Sequence, residues 1–128
     1  MSKIRVSQLN WNCKGGNKVE NGPQFFIKGI ADKNYEMGDC IKSNSVTVRI
    51  EFSSTKELGN TGNIKVYSGV INEIDEQLIS QLNVAENLFT KDIEISSKKN
   101  MYIRATFEGN SYRGKRISLT NPIWISPN

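Results

Sequence analysis

The stretch from Met101 to Pro127 constrains the fold most, because apolar and polar residues alternate along it on both sides of a glycine-rich turn. A period of two is typical of strands with one buried face. The pattern predicts one strand over residues 101–107 and a second over residues 117–125. Residues 109–114 lie between them and supply turn chemistry, with a glycine at each end. We therefore predict a β-hairpin that organises the core.

The register of this hairpin follows if outward residues face outward residues. That condition places Glu108 opposite Arg116 and Arg104 opposite Thr120. Asn121 falls in the inward row just before a proline, so we expect its amide to bond the backbone at a strand kink or bulge. The other residues predicted to point inward are Met101, Ile103, Ala105, Phe107, Ile117, Leu119, Ile123 and Ile125.

Five shorter segments upstream also have the composition or alternation of strands, bounded by clusters of turn residues. The segment 45–52 has the cleanest alternation, and we expect it to be a central strand. Residues 10–23 are rich in Gly and Asn and are predicted to form a loop. The five predicted strands are 3–9, 25–30, 45–52, 64–70 and 92–95.

The segment 72–83 allows two interpretations. Asn72 can cap a helix that has acidic residues in its first turn. Ile74, Leu78 and Leu82 then fall near helical spacing. We favour a short helix here, and the alternative is an irregular crossover between two sheets.

Together the segments give about seven short strands separated by turns, without long helices, which is an all-β pattern. Two stacked sheets in an immunoglobulin-like antiparallel β-sandwich accommodate this number of strands. A chain of 128 residues is long enough to build one such domain around its own core. We therefore predict a single β-sandwich domain over residues 1–128.

Composition and charge exclude some partners and leave others open. Hydrophobic content is 37%, and no apolar run approaches the roughly 20 residues of a membrane span, so we expect no membrane partner. The start lacks the apolar core of a signal peptide, and we favour a cytoplasmic location while leaving a secreted or cell-surface one open. The net charge of +4 is modest, but basic residues gather after Lys98, where they could steer an anionic ligand.

The chain has no histidine, which removes the commonest general base and the commonest metal ligand. No pair of carboxylates is fixed by spacing, so we predict that the chain alone is not an enzyme. The spacing of Cys13 and Cys40 does not suit a metal site, and we predict no metal and no cofactor. We favour two buried free thiols, and the alternative is a disulfide in an oxidising compartment.

Tyr102, Arg104 and Trp124 all fall on the outward face of the predicted hairpin and would form an aromatic and cationic patch. A tryptophan that points away from the core needs a cover, which can be a loop of the same domain, a neighbouring domain or a ligand such as a sugar ring. We favour a cover within the domain, for which Trp11 in the first loop is the candidate.

A second group of basic residues, Arg113, Lys115 and Arg116, lies beside Tyr112 at the predicted hairpin tip. Basic residues interleaved with aromatic ones suit nucleic acids. The modest net charge makes a solvated turn the favoured interpretation, and we do not expect nucleic acid as a partner. Arg113 and Arg116 stay candidates for a ligand site or a domain interface.

Two motifs near the end of the chain, YIR at residues 102–104 and LTNPIW at residues 119–124, carry a resemblance. They resemble the close of the C-terminal β-sandwich domain in the PHP family of metal-dependent phosphoesterases, including the CehA/McbA-like members. There a Tyr-x-Arg strand is followed by a turn and by a strand with Ser/Thr-Asn-Pro-Ile. The resemblance covers residues 36–127. The matching residues are Tyr102, Ile103, Arg104, Leu119, Thr120, Asn121, Pro122, Ile123 and Trp124.

This resemblance implies a non-catalytic accessory domain. The family's catalytic residues are histidines and aspartates of a preceding metal-binding domain, and this chain has no histidine to match them. The implied partner is the catalytic domain of the same parent protein, against which the sandwich would pack. The alternative is a carbohydrate- or polymer-binding module that uses Trp124, Tyr102 and Arg104.

Overall fold

The structure, a computed structural model, describes residues 24–55, 60–111 and 114–128. These residues contain ten strands and no helix. These ranges therefore contain no helix of the length and hydrophobicity needed to cross a membrane. In chain order the strands are β1 (Gln24–Ile30), β2 (Asn34–Tyr35), β3 (Cys40–Lys42), β4 (Ser45–Ser53), β5 (Thr61–Val70), β6 (Glu76–Ala85), β7 (Leu88–Ser96), β8 (Met101–Ser111), β9 (Gly114–Leu119) and β10 (Ile123–Ser126).

The strands form two sheets that pack face to face. The four-stranded sheet has the order β2-β1-β4-β7, so β4 is an interior strand, as its alternation predicted. The six-stranded sheet has the order β3-β10-β8-β5-β6. β9 and β10 pair with different parts of the same edge of β8, and β5 pairs with the other edge. The described strand pairs are antiparallel except for β3 with β10.

The inward rows of the two sheets meet in one apolar core, which is how a β-sandwich buries its hydrophobic faces. The rings of Phe25, Phe52 and Phe107 contact one another in it, with centroids 4.5 to 6.4 Å apart. The all-β sandwich is therefore confirmed, while the immunoglobulin-like arrangement stays a prediction. The predicted strand 3–9 and the predicted loop 10–23 lie outside the described residues. Predicted strands that lie within observed ones are 25–30, 45–52, 64–70, 92–95 and 101–107.

The predicted helix over residues 72–83 is wrong, and so is the alternative of an irregular crossover. Residues 76–85 form β6, which pairs with β5 over its whole length. Asn72 lies in the turn between the two strands with φ of 73°, and the Glu73 amide there donates to the Val70 carbonyl at 3.0 Å. Asparagine adopts this left-handed conformation more readily than most residues, so Asn72 serves the turn and does not cap a helix.

A β-bulge places Leu78 and Leu82, which were predicted on one helix face, on opposite faces of β6. The register between β5 and β6 shifts at Val66/Tyr67, which leaves Ile79 without a direct partner. The bulge interrupts the period of two. Leu78 before the bulge is 51% exposed on the outer face, whereas Leu82 after it packs against the core. Ile74, the third residue at helical spacing, precedes β6 and is 64% exposed.

The last hairpin forms, but its register differs by one residue from the predicted one. Glu108 lies opposite Ile117, and Arg116 lies opposite Gly109. The strands extend further toward the tip than predicted, since β8 ends at Ser111 and β9 begins at Gly114. A shift of one residue turns every side chain to the other face. Ile117 and Leu119, which were predicted to point inward, are consequently 63% and 51% exposed.

The chain returns to the predicted face at residues 120–122, which belong to no strand. After this break β10 pairs with β8 so that Ile123 lies opposite Ile103, one residue out of step with the pairing of β9. The offset restores the inward direction, and Ile123 and Ile125 are fully buried. A kink or bulge within one strand was predicted here from the Asn-Pro pair, whereas the structure has two strands separated by three residues.

The polar residue that stabilises the break is Thr120, and the prediction for Asn121 is wrong. Thr120 was predicted opposite Arg104 but meets Ala105. The Thr120 amide donates to the Ala105 carbonyl at 3.0 Å, and the Thr120 hydroxyl accepts from the Ala105 amide at 2.9 Å. Asn121 is exposed, because the one-residue shift moves it out of the inward row.

Candidate interaction face on the six-stranded sheet

Tyr102 and Trp124 lie side by side on the outer face of the six-stranded sheet, as the alternation predicted. They are direct partners across β8 and β10, and their rings meet edge to face with centroids 5.7 Å apart. Trp124 is only 5% exposed, and Cys40 and Ile71 pack against the pair. The cover of Trp124 is therefore supplied by this chain. Trp11, the candidate for that cover, lies outside the described residues.

Tyr102 reaches across β5 to a carboxylate on β6. Its partner on β5 is Gly69, and the partner of Gly69 on β6 is Glu76. Because Gly69 has no side chain, the phenol lies over it, and the hydroxyl donates to Glu76 Oε2 at 2.7 Å. A Cβ atom at position 69 would collide with the phenol ring. One row across five strands thus contains Cys40, Trp124, Tyr102, Gly69 and Glu76 in that order.

Glu76 is also the partner of Arg104, the third residue predicted for this patch. The Arg104 Nε and Nη2 atoms donate to the two oxygens of Glu76, each at 2.6 Å. This bidentate geometry gives the strongest Arg–carboxylate hydrogen bonding. The side chains of Arg104 and Glu76 are 9% and 16% exposed. Arg104 Cζ lies 4.5 Å from the centroid of the Tyr67 ring, a cation–π contact. We call Tyr67, Glu76, Tyr102 and Arg104 the Glu76 cluster.

The protonation states within the Glu76 cluster follow from these contacts. Burial acts to raise the pKa of Glu76, but hydrogen bonds from Arg104 and Tyr102 and the charge of Arg104 together bring it below its ordinary value. The hydrogen bond to Glu76 raises the pKa of Arg104. Burial and the hydrogen bond to Glu76 raise the pKa of Tyr102 well above its ordinary value. At neutral pH the cluster therefore contains an ion pair and a protonated phenol.

This chemistry suits joining strands more than binding a ligand. The charge of Arg104 is neutralised within the chain, so an anionic ligand would have to displace Glu76 from it and leave a nearly buried carboxylate without its counter-ion. A sugar would need the cover of Trp124 to move before it could stack on the ring. Sequence reasoning missed Glu76 because the predicted helix placed it in a first turn. Its partner Arg104 is 28 positions away, which leaves no local signal.

Cys40 corrects another prediction. It lies opposite Trp124 on β3 and is disulfide-bonded, whereas a free thiol was favoured from the sequence. Cys13, the other cysteine of the chain, lies outside the described residues. The disulfide therefore adds a covalent constraint beside the aromatic pair on the outer face.

The basic candidates of the hairpin tip do not join the Glu76 cluster. Arg113 lies outside the described residues. Arg116 lies opposite Gly109, which is seven positions along β8 from Tyr102, or about 23 Å. Lys115 next to it forms an ion pair with Glu108, with the nitrogen and oxygen 2.6 Å apart. The predicted site residues therefore divide into a buried cluster and a distant basic tip.

Exposed apolar side chains share the outer face with the Glu76 cluster. Ile117 and Leu119 project from β9, the latter beside Thr106 on β8. Leu78 projects from β6 opposite Tyr67. Several large apolar side chains exposed on one face are typical of a surface that contacts another molecule. This surface was missed from the sequence because Ile117 and Leu119 were expected in the core.

In the described ranges, no three His, Cys, Asp or Glu side chains come close enough together to hold a metal ion. No protein-family model, curated protein or solved structure matches the chain.

Proposed function

We propose that this chain is a non-catalytic accessory domain that binds another protein surface through the outer face of its six-stranded sheet. We further propose that the partner is the catalytic domain of a PHP-type metal-dependent phosphoesterase. The first part rests on the geometry of the sheet, and the second rests on the resemblance carried by residues 102–104 and 119–124.

The observation that carries the proposal is the contrast between polar and apolar groups on one face. The ionised side chains of Arg104 and Glu76 are almost fully covered and use their hydrogen bonds on each other. Ile117 and Leu119 on the same face are more than half exposed. Lys65 and the exposed pair of Lys115 with Glu108 also lie on this face. Its several exposed apolar side chains gain free energy when a protein covers them, because apolar area leaves water.

The motifs behind the resemblance have structural tasks that suit an accessory domain. Tyr102 and Arg104 join β8 to β6 through Glu76. Thr120 stabilises the break that directs Ile123 into the core. A domain built in this way presents a rigid sheet to its partner, and binding then costs little ordering of the backbone.

The test is titration calorimetry with a purified catalytic domain of this family that lacks its own C-terminal sandwich. We expect wild-type binding, and we expect Ile117→Lys or Leu119→Lys to weaken it at least about tenfold, because each places a charge in the apolar contact. Leu88→Lys is the matched control, since Leu88 is exposed to a similar degree on β7 of the other sheet.

Three results would overturn the proposal. One is the absence of binding by the wild-type chain, and another is equal weakening by the control Leu88→Lys. The third is phosphodiester hydrolysis by the chain alone with added manganese or zinc. Oligosaccharide binding that is lost in Trp124→Ala would favour the carbohydrate-binding alternative.

A further inference from the structure

Among the described strands, β6 has no neighbour on the edge away from β5. A β-bulge at Ile79 protects part of this edge, but the residues after the bulge lack the other features that normally prevent strands from pairing between molecules. Edge strands are commonly protected by short length, by lysine or proline, or by several charged side chains. β6 has ten residues, with neither lysine nor proline. Its one charged residue is Glu76, and that charge is neutralised by Arg104.

The other edges in the described part of the chain have such protection. β2 has two residues and β3 has three. β2 pairs only with Gly29 and Ile30 of β1, and the rest of that edge contains Lys28. β7 contains Lys91, Asp92 and Glu94, and β9 contains Lys115 and Arg116. β6 is therefore the edge of the described sheets that is most open to another strand.

The straight part of this edge begins after the bulge and runs from Ser80 to Ala85. Leu82 and Val84 point inward, opposite Ile64 and Gly62 of β5. Gln81 and Asn83 point outward and are exposed. The segment thus has an apolar row on one face, an amide row on the other and no charge.

This pattern is complementary to itself. In an antiparallel pair about a two-fold axis through Leu82, that residue faces its own copy, and Gln81 faces Asn83 of the second copy. In the pair about Asn83, Leu82 faces Val84 of the second copy. The first register pairs leucine with leucine and amide with amide but places Val84 opposite Ser80, and the second pairs leucine with valine and asparagine with asparagine but places Gln81 opposite Ala85. Neither register brings like charges together.

We propose that β6 pairs with β6 of a second copy of this chain. The six-stranded sheets of two copies then continue into one sheet about a two-fold axis, which is the commonest symmetry of protein dimers. The backbone groups of both edges become hydrogen-bonded, and the outer faces of two copies lie side by side. The dimer would present its docking face twice and gain avidity for a repeated partner.

The test compares two double variants by sedimentation equilibrium over a range of concentrations. We expect the wild-type chain to dimerise. Gln81→Lys with Asn83→Lys, and separately Gln81→Glu with Asn83→Glu, should each raise the dimer dissociation constant at least about tenfold through like-charge repulsion across the axis. An equimolar mixture of the two variants should form a heterodimer, which also establishes that both are folded.

The matched control is Gln24→Lys with Thr90→Lys, which adds the same charge at exposed positions of the four-stranded sheet. We expect it to dimerise like the wild type. A wild-type chain that is monomeric at every concentration overturns the proposal. So does a dimer that both β6 variants leave intact, or one that Ile117→Lys on β9 dissociates.

Discussion

The ring of Tyr102 occupies the space above Gly69 that the Cβ atom of any other residue would need. This arrangement lets one side chain cross β5 and bond Glu76 on β6. A glycine in a strand interior lacks a side chain to pack and weakens the strand. Here the covering ring supplies the missing contact, so the two residues depend on each other.

Gly69→Ala should lower the free energy of unfolding by about 1–3 kcal/mol, because the added methyl group forces the ring off its position. Urea unfolding followed by tryptophan fluorescence measures this change. In the Tyr102→Ala background the same substitution should cost much less, because the ring is gone. An equal cost in both backgrounds would contradict the arrangement.

Glu76→Ala should destabilise the fold far more than Asp92→Ala, although each removes the carboxylate from a two-point pair with arginine. Arg104 and Glu76 are nearly covered, and an unpaired charge left there costs about 3 kcal/mol. Arg49 and Asp92 pair in the same way but are 40% and 43% exposed, so water screens the pair and it contributes little to stability. Parallel urea titrations of both variants provide the comparison, and similar losses would refute it.

Acid should remove the contribution of Glu76 to stability. The pKa of Glu76 is lowered in the folded chain, so the unfolded chain binds its proton first as the pH falls. The stabilisation is complete above the unfolded pKa of about 4.3 and is lost as the pH falls through the folded pKa. The stability difference between the wild type and Glu76→Gln should therefore shrink below about pH 4. A difference that stays constant between neutral and acidic pH would argue against this linkage.

Thr120→Val should cost about 1–3 kcal/mol, because it leaves the Ala105 amide without the hydroxyl that accepts its hydrogen bond. Valine has nearly the same shape, so packing changes little. Thr47→Val is the control, since the Thr47 hydroxyl donates to Glu94 at an exposed position and water can replace it. Thermal unfolding of the two variants is the measurement. Equal melting temperatures would count against the structural task of Thr120.

Reduction should destabilise the chain by about 3 kcal/mol, because the disulfide at Cys40 limits the freedom of the unfolded state. Unfolding with and without dithiothreitol measures the loss, and Cys40→Ser should no longer respond to the reductant. Disulfides persist in oxidising compartments, so we expect the oxidised form in material exported from the cell. A thiol titration that finds Cys40 free under oxidising conditions would contradict the bond.

The sequence predicted most strands because local alternation survives in β1, β4 and β8, where one face packs on the core. It failed where the period of two is interrupted. The bulge at Ile79 puts Leu78 and Leu82 on opposite faces of β6, and the one-residue register shift of β9 puts Ile117 and Leu119 on the outer face. Both errors come from single inserted or removed positions, which alternation alone cannot locate.

The candidate face could be predicted only in part for a similar reason. Tyr102, Arg104 and Trp124 were placed on one outward face because they alternate with the inward residues of the two predicted strands. Glu76 closes the cluster from β6, and its contact with Arg104, 28 positions away, is long-range, so no local pattern encodes it. The patch that was predicted as an open binding site is therefore a contact that joins β8 to β6.

The position of β8 also has a consequence for synthesis on the ribosome. β8 joins β5 to both β9 and β10, yet it follows the complete four-stranded sheet in the chain. Ile103 and Phe107, which help to cover the inner rows of that sheet, emerge only with β8. A nascent chain that pauses before Met101 would expose apolar rows and an unpaired edge of β5 together, the combination that leads to aggregation. Chaperone protection during synthesis would be needed most in this interval.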